Sequence, residues 1–324
     1  MQALILNKYD DVTRATLETI DTSMLPAGDV TVEIDYSCLN YKDALAITGK
    51  GKIIRQFPMV PGIDFAGRVY ASEDPRFHPG QMVLLTGWGV GENHWGGLAK
   101  LARVNADWLV PMPEGLDARK AMIIGTAGFT AMLCLMALEE AGITPQSGEI
   151  VVTGASGGVG STAIALLHHH GYQVAAVSGR STTHQYLYKL GASRILSRED
   201  FAPARPLEKQ LWAGAIDTVG GQMLATLLAQ VQYGGCVAAC GLAGGISLPA
   251  TVMPFILRNV RLQGVDSVMA PAARRITAWE RLSRELPASF YEQASTEISL
   301  AQAPEYAQAL IDNKTSGRTL VKID

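Results

Sequence analysis

The sequence predicts a two-domain α/β protein in which a β-rich amino-terminal domain precedes a doubly wound parallel-sheet domain. Three observations carry this prediction. Residues 149–180 hold an apolar run, a glycine cluster, an apolar helical segment and a second apolar run, which together make a strand, turn, helix and strand. Residues 1–120 show short alternating segments cut by Pro and Gly, whereas residues 214–265 alternate strand-like and helix-like patterns. At 324 residues the chain also exceeds what a single hydrophobic core usually serves.

Taken in order, residues 1–8 form a first strand and lack the basic, apolar and cleavable arrangement of a leader. Residues 30–36 alternate apolar and polar side chains, and residues 82–85 are a buried run. Pro58, Pro61, Gly62, Gly67, Pro79 and Gly80 mark the turns between them. From 117 to 140 the pattern is helical, broken by Gly125 and Gly128. Strands are then expected at 150–153, 173–177, 214–219, 235–241 and 260–265, with a helix at 223–230. Such alternation implies a parallel sheet with helices on both faces. The tail holds amphipathic helices at 272–286 and 303–313 and a last strand at 317–323. A strand left over after the α/β region must pair elsewhere, and we expect it to return to the amino-terminal domain and make that domain discontinuous. The apolar strand 260–265 at a sheet edge points to a homodimer that joins two sheets; the competing reading is an edge capped within one chain.

Gly154, Gly157 and Gly160 hold a spacing that lets the backbone turn sharply, approach a pyrophosphate and seat the next helix against the sheet. That helix would aim its unpaired N–H groups at the phosphates. A P-loop is the main competitor, but it needs Lys after its last glycine, and Gly160 is followed by Ser161 and Thr162. The second strand ends in Ser178, Gly179 and Arg180, with no acid until Glu199. An NAD site places Asp or Glu near this point to bond the ribose 2′-hydroxyl, so a hydroxyl and a guanidinium favour NADPH. Arg180 and, from the next loop, Arg198 are candidate 2′-phosphate ligands; read structurally, both are solvated loop arginines.

A formal net charge of −3 gives no basic surplus for nucleic acid or an anionic membrane. No apolar stretch escapes Gly or Pro breaks for long enough to span a bilayer. Four scattered cysteines, Cys38, Cys134, Cys236 and Cys240, read as reduced thiols and favour the cytoplasm. His168, His169 and His170 would point about 100° apart on a helix and cannot converge on one ion. The glycine-rich loop 87–97, with His94 and Trp95, is either a pocket lining or a structural turn.

The order of these features resembles the medium-chain dehydrogenase/reductase superfamily over the whole chain. That resemblance implies a GroES-like β-rich catalytic domain at 1–121 and 269–324 and a Rossmann NADPH-binding domain at 122–268. Zinc members carry Cys in the stretch matching Asn40-Tyr41-Lys42-Asp43 and a His-Glu pair in the stretch matching residues 61–67. Here that Cys is absent and Ile63 stands for His, so the chain resembles the zinc-free quinone oxidoreductase and enoyl reductase side, with no metal expected. The strings at 40–55, 87–97 and 254–260 resemble the bacterial acrylyl-CoA reductase subgroup, which implies reduction of the carbon–carbon double bond of acrylyl-CoA to propionyl-CoA with NADPH. By position, the resemblance implies cofactor contacts from Tyr41, Ser156, Gly157, Gly158, Val159, Ser178, Gly179, Arg180, Arg198, Leu242, Ile256, Ser267 and Asn313. Tyr41 is the candidate catalytic donor; the competing reading is a packed tyrosine at a strand end. Lys50, Lys52 and Arg55 would meet the phosphates of a CoA thioester, unless they are solvated loop charges. The alternatives are a quinone or general enal reductase of the same fold, and a non-catalytic NADPH- or RNA-binding protein like the crystallin relatives.

Overall fold

In the computed structural model, which describes residues 1–203, 205–293 and 295–324, the chain opens with a hairpin. Strands β1 (Gln2–Tyr9) and β2 (Val12–Thr19) pair antiparallel as a sheet of their own. Asp10 and Asp11 turn between them at φ 46° and 63°, a left-handed pair that a short polar side chain tolerates better than most. Next come β3 (Val30–Leu39), α1 (Tyr41–Thr48), β4 (Asp64–Ser72), β5 (Met82–Thr86), β6 (Leu101–Val104) and β7 (Val110–Pro111). The sequence reading, mostly short strands and turns over this region, did not include the helix α1, and the competing reading of Tyr41 as a strand-end residue is corrected by its place at the start of that helix. Asp43 accepts the backbone N–H of Asn40 at 2.8 Å, and this closes the first turn of a helix at Tyr41.

Helix α2 (Ala118–Glu140) changes direction at Gly125, whose φ of 50° and ψ of −162° no other residue adopts easily. Gly128, expected to break it too, stays helical. By length and hydropathy α2 could cross a membrane, but Gly125 and Gly128 interrupt its apolar sequence and 94% of its most apolar stretch is buried inside the protein, as in the core helix of a folded domain.

The parallel region follows as β8 (Ile150–Val152), α3 (Gly158–His169), β9 (Val174–Val177), α4 (His184–Lys189), β10 (Arg194–Leu196), β11 (Trp212–Asp217), α5 (Gly221–Gln230), β12 (Val231–Ala239), α6 (Met253–Arg258) and β13 (Arg261–Gly264). Its six strands run in the order β10-β9-β8-β11-β12-β13, every neighbouring pair parallel. The chain winds outward from β8 to one edge and then returns to lay β11 on the other side of β8. Val151, Ala175, Val177, Leu227, Leu228 and Val237 form a core along this sheet.

The tail gives α7 (Ala272–Glu285), α8 (Ala288–Gln293), β14 (Ser295–Ser299), α9 (Ala303–Ile311) and β15 (Arg318–Lys322). Strand β15 lies between β14 and β3, Leu320 opposite Cys38, in a seven-stranded sheet ordered β14-β15-β3-β4-β5-β7 with β6 also on β3. Both ends of the chain therefore build one sheet, over a core that includes Leu4, Leu6, Val32, Ile34, Phe65, Leu85 and Val321. The chain divides into a unit of Met1–Thr126, Val268–Ser283 and Tyr291–Asp324 and a unit of Ala127–Ser267 and Arg284–Phe290.

Candidate active site

In the parallel-sheet unit, β8 and β11 are the adjacent strands from which the chain departs in opposite directions, and a crevice at their carboxyl ends is where such sheets take ligands. Gly154 leaves β8 at φ 57°, and a Cβ there would lie 2.1 Å from Thr218 Oγ1. A Cβ on Gly160 would stand 2.5 Å from the Gly154 carbonyl oxygen. Both positions admit only glycine, because the turn folds back on itself and on the end of β11. Gly157 precedes α3 without a side-chain cap, leaving the first-turn N–H groups of Gly158 and Val159 without a side-chain acceptor. A bare turn, open backbone donors and a helix amino terminus fit a dinucleotide pyrophosphate.

Asp217, at the end of β11, braces this crevice. Its carboxylate accepts the Thr153 hydroxyl at 2.7 Å and the Gly220 N–H at 2.8 Å. Thr218 donates its N–H to Thr153 Oγ1 and its hydroxyl to the Thr153 carbonyl, both at 3.0 Å. Burial pushes the Asp217 carboxyl up, while these donors favour its charged form. Sequence reading passed over Asp217, although an acid ending an apolar strand one residue before Thr218 was its visible signal.

At the end of β9, Ser178 is buried and its hydroxyl lies 3.0 Å from Thr183 Oγ1. Arg180 Nη2 donates to Ser156 Oγ at 2.7 Å, which ties the second strand end to the glycine turn. A Cβ on Gly179 would lie 3.4 Å from Cδ and Nε of Arg198. The expected residues Ser156, Gly157, Gly158, Val159, Ser178, Gly179, Arg180 and Arg198 thus gather along one line from α3 to the loop after β10. Leu242, 64% exposed, follows β12, with its Cα beside Gly220. Ile256, 72% exposed, sits on α6, whose first turn holds Pro254. Ser267 ends the longer of the two segments that make up this unit.

In the unit built from both chain ends, Tyr41 is half-exposed at the start of α1. Beneath it lies a buried polar cluster that sequence reading did not assemble. Asp43 accepts Ile63 N–H at 2.9 Å and Asn40 Nδ2 at 3.2 Å. Asn40 Nδ2 also donates to Asp64 Oδ2 at 2.9 Å. Arg318, from β15, donates to Asn40 Oδ1 at 3.1 Å, to the Ile123 carbonyl at 3.1 Å and to Cys38 Sγ at 3.0 Å. Asp64 further takes the Thr126 N–H at 2.7 Å and its hydroxyl. Burial, then the charge of Asp64, pushes the Asp43 carboxyl up to about 6. The spacing of Asn40 and Asp43 carried a capping signal, but no local pattern could announce an arginine 278 residues away from Asn40. Asn313, just after the capping residue Asp312 of α9, is exposed at φ 56° with its N–H on the Leu310 carbonyl.

The loop 87–97 is a chain of tight turns. Trp88 takes φ 58° with the Arg275 guanidinium 4.8 Å over its ring, and His94 Nε2 meets the Arg103 carbonyl at 2.7 Å. Glu92 pairs with Lys42 at 3.1 Å. Among the described residues no three His, Cys, Asp or Glu side chains come together as a metal site would need. Of the three adjacent histidines, His170 pairs with Glu285 at 2.9 Å.

A parallel sheet with a glycine turn at its switch point, joined in one chain to an antiparallel β unit, defines a dehydrogenase or reductase of the dinucleotide-binding kind. Residues 26–114 match the alcohol dehydrogenase GroES-like domain family and residues 158–284 the zinc-binding dehydrogenase family. The chain is 73% identical over 324 residues, all of both proteins, to the protein of Escherichia coli named probable acrylyl-CoA reductase AcuI. It is 52% identical over 326 residues, 99% of each, to acrylyl-CoA reductase AcuI of Ruegeria pomeroyi. The yhdH oxidoreductase of Salmonella enterica, solved in complex with NADP, superposes with a TM-score of 0.99 at 74% identity over all of both chains. The chain belongs to the medium-chain dehydrogenase/reductase superfamily, with quinone oxidoreductase-like relatives.

Proposed function

We propose that this protein reduces the carbon–carbon double bond of acrylyl-CoA to propionyl-CoA with NADPH. The observation that carries the reading is the 73% identity, end to end, with the Escherichia coli protein named for that activity. The relative solved with NADP and the Ser178, Arg180 and Arg198 grouping support NADPH over NADH. In this reading the turn from Ser156 to Val159 holds the pyrophosphate, and Ser178, Gly179, Arg180 and Arg198 hold the 2′-phosphate. Leu242, Ile256, Ser267, Asn313 and Tyr41 supply further contacts.

Bound NADPH supplies a hydride, which goes to the β-carbon of the thioester-conjugated alkene. The electron pair of the double bond moves toward the thioester carbonyl oxygen, and the α-carbon then takes a proton. This chain must therefore offer a hydrogen-bond donor to that oxygen. Tyr41, half-exposed at the start of α1, is the donor we assign. Water is the competing source of the proton. Lys50, Lys52 and Arg55, all exposed, would meet the CoA phosphates. Steady-state kinetics test the assignment. Tyr41→Phe should lower kcat more than it raises the NADPH dissociation constant, and acrylyl-CoA should be reduced far faster than acrylate. A short quinone with the higher kcat/KM would instead make the protein a quinone or general enal reductase.

The same reading includes a homodimer and a cytoplasmic location. Strand β13 is a sheet edge, and in the segment that precedes it in the chain Ile246, Leu248, Val252 and Leu257 are exposed, 88% in the case of Ile246. All four cysteines are free thiols, which suits a reducing compartment. Light scattering and cell fractionation would check these two points.

A further inference from the structure

The NADPH reading names Arg180 and Arg198 as phosphate ligands, but long flexible side chains bind well only when something fixes them beforehand. Two residues outside that set do so on opposite sides of Gly179. On one side, the Thr183 hydroxyl, 6% exposed as a residue, donates to the Arg180 carbonyl at 2.7 Å and meets Ser178 Oγ at 3.0 Å. Ser178 Oγ in turn accepts the Arg180 N–H at 3.3 Å. The turn that carries Arg180 is thereby locked from within.

On the other side, Arg198 begins a short 3-10 turn, Arg198–Phe201. Asp200 accepts the Ser197 N–H at 2.9 Å, while Ser197 Oγ accepts the Glu199 N–H at 3.2 Å. Phe201 anchors the turn in the core at 4% exposure. The Asp200 carboxylate is thus engaged with the backbone of this cap, and the arginine stem lies across the bare backbone of Gly179.

We propose that Asp200 and Thr183 are positioning residues for cofactor choice, Asp200 acting through Arg198 and Thr183 through Arg180. This rests on the NADPH reading above. The test is the ratio of NADH to NADPH dissociation constants, measured by fluorescence titration on the full chain. Asp200→Ala should lower the preference for NADPH about 3- to 30-fold, the span of a lost cap, with NADH binding unchanged. Asp200→Asn, which keeps an acceptor for Ser197, should restore most of it. Thr183→Val should lower the preference about 2- to 12-fold, and Thr183→Ser should not. In an Arg198→Ala background, Asp200→Ala should have no further effect, because a positioning residue has nothing left to position. Equal losses for both cofactors, or an additive loss in that background, would overturn the inference while leaving Arg198 as a ligand. An unchanged ratio in Arg198→Ala itself would overturn the ligand reading and the inference with it.

Discussion

The cluster beneath Tyr41 and the glycine turn after β8 handle polar groups in opposite ways. Around Asp43 and Asp64 the protein supplies its own donors from Asn40, Ile63, Thr126 and Arg318, in a place that is 1% exposed at Asp43 and fully buried at Asp64. At the turn, the donors of Gly158 and Val159 have no side-chain acceptor, and the glycines let the backbone fold back closely on itself. The first region is finished by folding and the second is completed by binding. Their mutants should therefore fail in different assays.

Arg318→Met should have the largest effect. Removing a guanidinium that is 3% exposed leaves buried carboxylates beside an uncompensated cavity, and the loss of stability in urea should be about 3–5 kcal/mol. A loss below 1 kcal/mol would show that the cluster holds its charges by hydrogen bonds alone, erasing much of the contrast.

Arg180→Ala belongs to the other region and should barely move the urea midpoint. Its charge-assisted bonds to a 2′-phosphate are worth about 1.5–3 kcal/mol, so NADPH should weaken roughly 10- to 150-fold and NADH hardly at all. Equal losses would mean that Arg180 acts through the fold, by its bond to Ser156.

The pH dependence of stability sharpens the comparison further. Because the folded-state Asp43 carboxyl sits at about 6, above its ordinary 3.8, its charged form opposes folding at neutral pH and its protonated form does not. As pH falls from about 6 to about 4, the wild type should gain on the order of 2 kcal/mol relative to Asp43→Asn. A difference flat with pH, measured by urea melts at several pH values, would place the Asp43 titration in its ordinary range. The smallest effect is expected from metal removal. With no metal-ligand group among the described residues, exhaustive chelation should leave turnover unchanged, and activity that returned only with added zinc would overturn that expectation.

The sequence by itself determined what depends on near neighbours. Gly154, Gly157 and Gly160, the apolar runs on either side, and Ser178 with Arg180 lie within one short stretch, where spacing dictates backbone conformation and a strand, turn and helix follow. Such reasoning missed α1, although Asn40 and Asp43 carried its capping signal, because the surrounding segments all read as strands. It also placed a break at Gly128 where packing keeps the helix intact. What only the tertiary structure decided is the company kept by residues far apart in the chain. Arg318 meets Asn40 because β15 pairs with β3, and Arg198 crosses Gly179 because β10 lies beside β9. A buried charge must find its partner in space, and the sheet register that supplies the partner has no local mark in the sequence.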